Sequence, residues 1–331
     1  MNNKNATILG MGNALVDIMT KLDSDSTLQE YNLPKGSMQL VDNVLSETID
    51  HGTRHLEKTL SSGGSASNTI HGVARLGLKC GFIGCVGNDK LGLFFEEDMR
   101  NSGIKPHLFK EETASGKAIA LVSPDSERTF ATFLGAAIEL TDLHLDAALF
   151  EGYHHFHIEG YLVQNRNLIS KAVKLAKEKG MTVSLDLASY NVVETNLDFL
   201  KEVIAEGIDI VFANEEEAKA FTGMEPREAV IELGKITKVA IVKTGAKGSL
   251  VMCNDEITEV ESFKAKSIDT TGAGDLYASG FLYGYLNGLS LKKAGLIGSW
   301  LAANVIEVIG AKIDDNHWDI VLERVKEIEN A

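Results

Sequence analysis

Short apolar strands alternate with helices along most of the chain, and no other feature of the sequence constrains the fold so strongly. Apolar runs of five or six residues predict strands at 153–158, 182–187, 208–213, 239–243 and 249–253. Helical periodicity predicts helices at 167–180, 197–206 and 215–222, and a mostly helical region from 275 to the end. Strands and helices that alternate in this way form a parallel sheet covered by helices. We therefore expect an α/β fold with a doubly wound, mostly parallel sheet.

The N-terminal half adds to this sheet and contains two β-rich insertions. Strands are predicted at 7–12 and 80–87, with helices at 69–77 and 91–102. The insertions, at about 13–42 and 113–135, predict a small separate sheet over one edge. Within the second insertion we expect a hairpin, whose strands at 118–123 and 129–134 are joined by a turn at Pro124–Glu127. Because no linker or internal repeat divides the sequence, we expect one domain over residues 1–331.

Composition disfavours several classes of partner. The 331 residues include 32 lysines and arginines against 47 aspartates and glutamates, a formal net charge of −15. This charge disfavours nucleic acids and anionic membranes. No run of about 18 apolar residues would span a membrane, and the first seven residues are too short and polar for a signal peptide. Three cysteines are too few for a disulfide framework, so we expect a reducing, cytoplasmic compartment.

The most specific motif is Asp269-Thr-Thr-Gly-Ala-Gly-Asp275, which leads directly into an apolar helix. The N–H groups of Gly272, Ala273 and Gly274 would converge at the positive end of this helix and bind an anion. Asp275 would repel that anion unless it has a chemical role, and a carboxylate beside a phosphoryl group can take the proton from an attacking hydroxyl. The alternative is that the acid only caps the helix.

Three further segments carry candidate binding residues. Gly63 and Gly64 precede a helix whose first turn carries Asn68, which would bring backbone close to a ligand, although an ordinary glycine-rich turn has the same composition. Asp17 lies in an apolar run, and if it is buried beside Asn13 the pair would bind a vicinal diol; the alternative is a solvent-facing strand residue.

The third segment is Asn214-Glu-Glu-Glu217, at the end of an apolar strand. Asn214 and Glu217 would share one face of a first helical turn, where oxygen ligands suit Mg²⁺ through water. Helix capping alone explains the same pair. The sequence Gly10-Met-Gly-Asn-Ala-Leu15 lacks the third glycine of a dinucleotide fingerprint, which disfavours a nicotinamide-dependent oxidoreductase.

Histidines and cysteines give no strong metal signal. His154, His155 and His157 lie in a run that alternates like a strand, which favours hydrogen-bonded or solvated histidines over metal ligands. Cys80 and Cys85 lack a second pair, so zinc is not expected. The chain also has no Gly-x-x-x-x-Gly-Lys-Ser/Thr sequence for P-loop phosphate binding.

Taken in order, these motifs resemble those of the ribokinase-like (PfkB) carbohydrate and nucleoside kinases across nearly the whole chain. The resemblance rests on the Gly63-Gly64…Asn68 element, Gly84–Gly92, Asn214…Glu217 and the Asp269–Asp275 motif. Four segments look most like bacterial adenosine kinases: Gly10–Asp17, Lys35–Asp42, Glu127–Gly135 and Glu159–Leu162. The resemblance implies a doubly wound sheet with a small β lid, and ATP-dependent phosphorylation of the adenosine 5′-hydroxyl to give AMP and ADP.

The resemblance also assigns roles to residues. It makes Asp275 the general base, with Gly272, Ala273 and Gly274 stabilising the transferring phosphoryl group. Asn214 and Glu217 would organise Mg²⁺ and the ATP phosphates. Ribose would be bound by Asn13, Asp17, Gly63, Gly64 and Asn68. The nucleobase would lie against Leu15, Leu40, Phe133 and Tyr161. The ATP side would be lined by Thr244, Gly245, Gly248, Ala303 and Asn304.

Two implications concern charge at the anion loop. Many relatives hold K⁺ there, and the matching positions are Asp269, Thr271 and Gly310. Arg128 on the lid would reach the phosphates when the lid closes.

Three alternatives stay open: a sugar kinase of the same family that takes ribose or a fructose-type substrate, a non-catalytic nucleoside or sugar sensor, and the oxidoreductase. Both a monomer and a homodimer are compatible with the resemblance, since lid strands pair between subunits in some relatives.

Overall fold

The computed structural model describes residues 6–125 and 127–331. Its strands are β1 (Thr7–Met11), β2 (Leu15–Lys21), β3 (Met38–Leu40), β4 (Lys58–Gly63), β5 (Lys79–Gly87), β6 (Ile104–Glu111), β7 (Gly116–Val122), β8 (Arg128–Phe133), β9 (His155–Glu159), β10 (Thr182–Asp186), β11 (Ile210–Asn214), β12 (Val239–Lys243), β13 (Ser249–Cys253) and β14 (Glu256–Val260).

Its helices are α1 (Ser26–Glu30), α2 (Asn43–Gly52), α3 (Ser65–Arg75), α4 (Lys90–Asn101), α5 (Arg166–Glu178), α6 (Tyr190–Gly207), α7 (Glu215–Thr222), α8 (Pro226–Gly234), α9 (Ala273–Leu286), α10 (Leu291–Val305) and α11 (Trp318–Asn330). Short 3₁₀ helices lie at Gly135–Glu139, Asp142–His144, Ala147–Phe150, Gly160–Gln164, Gly245–Lys247 and Asp315–His317. Helix α6 begins seven residues before the predicted start at 197, and its backbone departs from helical geometry at Asn196.

The large sheet confirms the predicted α/β fold. In the described ranges it has nine strands in the order β14-β13-β12-β11-β10-β9-β1-β5-β6. All neighbours are parallel except the β12–β13 and β13–β14 pairs at one edge. The chain builds outward from β1 to β6 on one side and then from β9 on the other. This reversal creates a crevice beside the carboxyl ends of β1 and β9, where ligands bind in such folds.

The second sheet contains the predicted insertions and one strand that was not predicted. It has five strands among the described residues, in the order β3-β8-β7-β2-β4. The predicted hairpin is present as the antiparallel pair β7 and β8, although Ser126 of its turn lies outside the described residues. Strand β4 pairs antiparallel with β2, and it was missed because Lys58-Thr-Leu-Ser-Ser-Gly63 has little apolar content.

Hydrophobic cores lie on both faces of the large sheet. Successive residues of β1 point to opposite faces, so Leu9 joins one cluster with Phe156 while Ile8 joins the other with Phe82. All four side chains have no exposed surface, and burying each contributes about 1.5–3 kcal/mol. Burial on both faces explains the continuous apolar runs of these strands.

Helix α9 is fixed by an unusually close contact with α10. A Cβ atom on Gly280 would lie 2.6 Å from the Gly298 nitrogen, so the two helix backbones touch where glycine leaves space. Residues from Tyr277 to Leu282 are buried. The same helix begins at the Asp269–Asp275 motif, so this packing fixes the position of the motif within the molecule.

Candidate active site

Four neighbouring parallel strands end in a polar residue at the same edge of the large sheet. These residues are Glu159, Asp186, Asn214 and Lys243, the last residues of β9, β10, β11 and β12. Asp186 pairs in register with Glu159, and Asn214 with Lys243. All four line a cavity of about 2150 Å³ that also contacts residues of the small sheet. The topology therefore concentrates polar groups in the crevice that the strand order creates.

The Asp269–Asp275 motif forms a tight turn into α9. Gly272 precedes the helix with φ of +75°, and a Cβ there would lie 2.7 Å from the Ala311 Cα, so glycine is required. Ala273 and Gly274 line the cavity, whereas Gly272 only makes the turn. The Ala273 N–H donates to the Thr270 carbonyl at 3.2 Å. First-turn N–H groups such as that of Gly274 have no partner within the helix and are suited to an anion.

Asp275 is held in the cavity by the first turn of α3. Ser65 Oγ donates to Asp275 Oδ1 at 2.7 Å, and Asn68 Nδ2 donates to Oδ2 at 3.0 Å. Burial raises the pKa of Asp275 to about 6, and the two hydrogen bonds limit the rise. A carboxylate with this pKa is ionised at neutral pH and basic enough to accept a proton. The structure therefore brings the Gly64–Asn68 segment against the motif, although Asn68 and Asp275 are 207 residues apart in the sequence.

Asp17 and Asn13 line the same cavity, next to Gly63 and Gly64. Burial raises the pKa of Asp17 to about 7. A Cβ on Gly63 would lie 2.3 Å from Asp17 Oδ1, and one on Gly64 would lie 2.1 Å from the Asn13 carbonyl oxygen. Gly63 does not line the cavity but leaves room for the Asp17 side chain, whereas Asn13, Asp17, Gly64 and Asn68 all line it.

Glu159 orients Asn13, and sequence analysis did not single it out as a site residue. Asn13 Nδ2 donates to Glu159 Oε1 at 2.6 Å, and the Ala66 N–H donates to Oε2 at 3.1 Å. Burial raises the pKa of Glu159 to about 7, while these bonds lower it. Within the described part of the chain, Oδ1 of Asn13 and Oδ1 of Asn68 are buried without a hydrogen-bond partner. Both atoms are acceptors in need of a donor.

Asn214 and Glu217 cap α7 as the capping interpretation predicted. Asn214 Oδ1 accepts from the Glu217 N–H at 2.8 Å, and both Glu217 carboxylate oxygens accept from Asn214 at 2.7 Å. Burial and the charge of Asp186 raise the pKa of Glu217 to about 7. Capping does not exclude a ligand role, because both side chains also line the cavity. The oxygens of Asn214, Glu217 and Asp186 fit the donor set that Mg²⁺ prefers, through water.

The residues expected to hold K⁺ are bound to one another and to Arg128. Asp269 accepts hydrogen bonds from the Thr271 N–H at 2.7 Å and the Gly310 N–H at 2.6 Å. The Arg128 guanidinium pairs with the same carboxylate and donates to Thr271 Oγ1 at 2.9 Å. The Asp269 side chain does not fit a potassium ion in this arrangement, because an arginine already neutralises the carboxylate. Arg128 itself does not line the cavity.

Only some of the residues expected on the ATP side line the cavity. Gly245, Gly248 and Ala303 line the cavity. The Thr244 side chain instead closes its own turn, donating from Oγ1 to the Gly248 carbonyl at 3.0 Å. Asn304 is buried and donates from Nδ2 to the Trp300 carbonyl at 2.7 Å, so the structure places it within α10 and not at the cavity.

The apolar part of the cavity needs one correction. Leu15, Leu40 and Tyr161 line it as expected, but Phe133 does not. Side chains alternate along β8, and the residues that face the cavity are Phe130 and Thr132. Phe133 therefore points to the opposite face of the small sheet.

Two other cavity residues were missed, and the sequence carries a signal for them. Asp186 and Lys243 each end an apolar strand, and Lys243 Nζ lies 2.9 Å from Asp186 Oδ2. The signal is a polar residue at the end of an apolar strand, which also indicated Asn214 and would have indicated both residues.

The histidines of β9 are hydrogen-bonded: Nε2 of His155 and Nδ1 of His157 each lie 2.8 Å from Ser184 Oγ.

The reversal of strand order, the small sheet over the crevice and a buried carboxylate at a helix N-terminus together define a ribokinase-like small-molecule kinase. The sequence model of the pfkB family carbohydrate kinases matches residues 37–318. The chain belongs to this family, and it is a phosphotransferase with a sugar or nucleoside acceptor.

Relatives with different acceptors are similar to this chain. The adenosine kinase of Sinorhizobium meliloti superposes with a TM-score of 0.84 at 31% identity, covering 98% of this chain and 99% of that one. The adenosine kinase of Saccharomyces cerevisiae is 28% identical over 92% of this chain and 96% of its own length. The 5-dehydro-2-deoxygluconokinase of Bacillus subtilis is 29% identical over 76% of this chain and 84% of its own length.

Kinases of this family use ATP, normally with Mg²⁺. Across the ranges that the structure describes, none of the helices has the length and apolar character needed to cross a membrane.

Proposed function

We propose that the chain transfers the γ-phosphoryl group of ATP to the 5′-hydroxyl of adenosine, giving AMP and ADP. One observation carries this proposal: the Asp275 carboxylate accepts from Ser65 at 2.7 Å and from Asn68 at 3.0 Å beside the N-terminus of α9. These contacts hold a base next to a group of N–H donors suited to a phosphoryl anion.

The polar wall of the cavity supports an acceptor that carries neighbouring hydroxyl groups. Asn13 Oδ1 and Asn68 Oδ1 have no donor among the described residues, and the Asp17 carboxylate lies in the same lining. An unpaired buried acceptor costs about 1–3 kcal/mol. Two hydroxyls of a ribose would supply the missing donors, so the site favours a vicinal diol over a substrate without donors.

The apolar wall supports a nucleobase. Leu15, Leu40, Phe130 and Tyr161 line the cavity together, and a purine offers an apolar face of matching character. The likeness to the adenosine kinase of Sinorhizobium meliloti, at 31% identity over 98% of this chain, favours adenosine. A free pentose would leave these side chains facing water.

The proposed mechanism follows from these positions. Asp275 takes the proton of the 5′-hydroxyl while its oxygen bonds to the γ-phosphorus and the bond to the ADP oxygen breaks. The N–H groups at the start of α9 stabilise the transferring group, and Asp17 and Asn68 orient the ribose. Arg128 pairs with Asp269 and donates to Thr271 within the motif, so it fixes the small sheet against the loop that would bind the phosphates. Mg²⁺, held through water by Asn214 and Glu217, would neutralise phosphate charge.

A phosphotransfer panel tests the proposal. ATP and Mg²⁺ would be offered with adenosine, inosine, guanosine, cytidine, ribose and fructose, and the products separated by chromatography. Formation of AMP from adenosine at the highest kcat/KM is the expected result. Turnover of ribose or fructose but not adenosine would refute the nucleoside assignment.

A sugar kinase is the second candidate. The diol-binding groups serve a furanose equally well, and the likeness to the 5-dehydro-2-deoxygluconokinase of Bacillus subtilis covers 76% of this chain. A non-catalytic sensor is disfavoured, since the buried Asp275 and the turn at Gly272 are retained together and a sensor needs no base.

A further inference from the structure

Lys243 lies against the anion loop, where no role was assigned to it. It is the last residue of β12, and its side chain is 15% exposed. A Cβ atom on Gly274 would be 3.0 Å from Lys243 Nζ. The ammonium group therefore faces the first turn of α9, one residue before Asp275.

The surroundings of Lys243 keep it charged. Its Nζ lies 2.9 Å from Asp186 Oδ2. A lysine beside a carboxylate keeps its charge at neutral pH. A lysine in this state is a fixed positive charge and not a proton donor.

The cavity needs a positive charge at this point. Its lining contains three basic side chains, Arg166, Lys243 and Lys264, against seven acidic ones: Asp17, Glu159, Asp186, Glu215, Glu216, Glu217 and Asp275. An ATP phosphate would therefore enter a cavity with more acidic than basic side chains. Repulsion between unit charges at 4 Å is about 4 kcal/mol at the effective dielectric of a partly buried site. Main-chain N–H groups carry only partial charges. A full positive charge beside the loop offsets this field where the phosphoryl group must lie.

We infer that Lys243 is a catalytic residue whose ammonium group contacts the γ-phosphoryl oxygens during transfer, while Asp186 positions it. The inference rests on the proposed phosphoryl transfer and adds a contact that the sequence motifs do not contain. The hydroxyl proton goes to Asp275, the oxygen–phosphorus bond forms, the bond to the ADP oxygen breaks, and Lys243 keeps all its protons. Its charge stabilises negative charge that is spread over the three equatorial oxygens.

Gly274 is part of the same arrangement. A side chain there would occupy the space between the helix and Lys243 Nζ, because the added Cβ would already be 3.0 Å from that atom. Glycine thus lets the ammonium group and the loop N–H groups contact one anion from two sides.

Chemical restoration of the charge tests the inference. Lys243→Cys removes the ammonium group, and alkylation with 2-bromoethylamine restores it, whereas alkylation with iodoacetamide adds a neutral group of similar size. We expect a kcat at least about 100-fold below wild type for the cysteine and iodoacetamide forms, and recovery of at least about tenfold only with 2-bromoethylamine. Treated wild type controls for the partly exposed Cys253, and Lys219→Met controls for loss of an exposed lysine.

Nucleotide affinity separates this inference from the acceptor assignment. Titration calorimetry would compare the binding of MgATP with that of MgADP. Lys243→Met should weaken the affinity for MgATP at least about tenfold, as expected for loss of a charge-assisted contact. Its affinity for MgADP should change less than about twofold. This comparison needs no acceptor, so it remains decisive if adenosine is not phosphorylated. Equal losses for both nucleotides, or wild-type kcat in a folded Lys243→Met chain, would overturn the inference. If Lys243→Met does not fold, Lys243→Gln, which removes the charge but keeps an N–H donor for Asp186, is measured instead, and the same loss of kcat is expected.

Discussion

Replacing Asp275 by asparagine removes the proposed base while keeping the shape of the side chain. In the wild type, Asp275 accepts from Ser65 Oγ at 2.7 Å and from Asn68 Nδ2 at 3.0 Å. An asparagine oxygen can keep the Asn68 bond, and its NH₂ group can donate to the serine hydroxyl, which is able to reverse its role. Both hydrogen bonds therefore survive, and the change isolates proton transfer from positioning.

The expected loss follows from that isolation. A positioned general base contributes about 10²–10⁴-fold to the rate, or about 3–5 kcal/mol of activation free energy. We expect Asp275→Asn to lower kcat at least about 100-fold, with the Kd of MgATP unchanged because the loop at Gly272–Gly274 is intact. Circular dichroism and thermal melting would show that the variant is folded.

The pH dependence gives a second measure of the same group. Burial raises the pKa of Asp275 to about 6, and only its ionised form accepts a proton. In the free enzyme, ionisation of Asp275 should therefore make kcat/KM fall about tenfold per pH unit below about 6, in addition to the fall from Asp17, whose pKa burial raises to about 7. Asp275→Asn should lack the contribution of Asp275 to this acidic limb. A variant with near wild-type kcat, or one that keeps that contribution, would show that Asp275 is not the base.

Three more substitutions or conditions test the remaining parts of the site. Asp17→Ala should raise KM for the nucleoside at least about tenfold and leave KM for ATP within about twofold; equal effects on both would contradict a diol contact. Gly63→Ala should also raise the nucleoside KM, because the new Cβ would lie 2.3 Å from Asp17 Oδ1, and an unchanged KM would show that the carboxylate can move freely. Because Arg128 pairs with Asp269, steady-state rates should agree within about twofold in KCl and NaCl, and strong stimulation by potassium would place a cation where we place the guanidinium.

Much of the large sheet could be predicted because its strands are buried on both faces. Such strands give uninterrupted apolar runs, and β12 and β13 have the predicted bounds at 239–243 and 249–253. Strand β4 and helix α2 were missed because they lie in the small sheet region, where one face is wet. Their burial comes from tertiary contacts, which periodicity over a short window does not contain.

The limits at the site have the same origin. Motifs local in sequence, such as Asp269–Asp275, could be recognised because their spacing alone brings backbone donors and a carboxylate together. Phe133 was assigned to the cavity because β8 carries apolar residues on both faces, and sequence does not say which face the cavity takes. Lys243 was missed because its contact with Gly274 joins two segments 31 residues apart. Only the parallel pairing of the strands places β12 beside the motif.

The charge of the cavity explains why several positive groups surround one small loop. The protein carries a net charge of −15, and acidic side chains outnumber basic ones in the cavity lining, so the site repels anions before any ligand enters. Burial and the charge of Asp186 together raise the pKa of Glu217. The start of α9 alone supplies about half a unit charge, which is less than a nucleotide phosphate needs. Arg128 from the small sheet and Lys243 from the large sheet lie at opposite ends of the motif, at Thr271 and Gly274. Each sheet therefore places one basic side chain beside the motif, and both offset part of the negative charge around the loop.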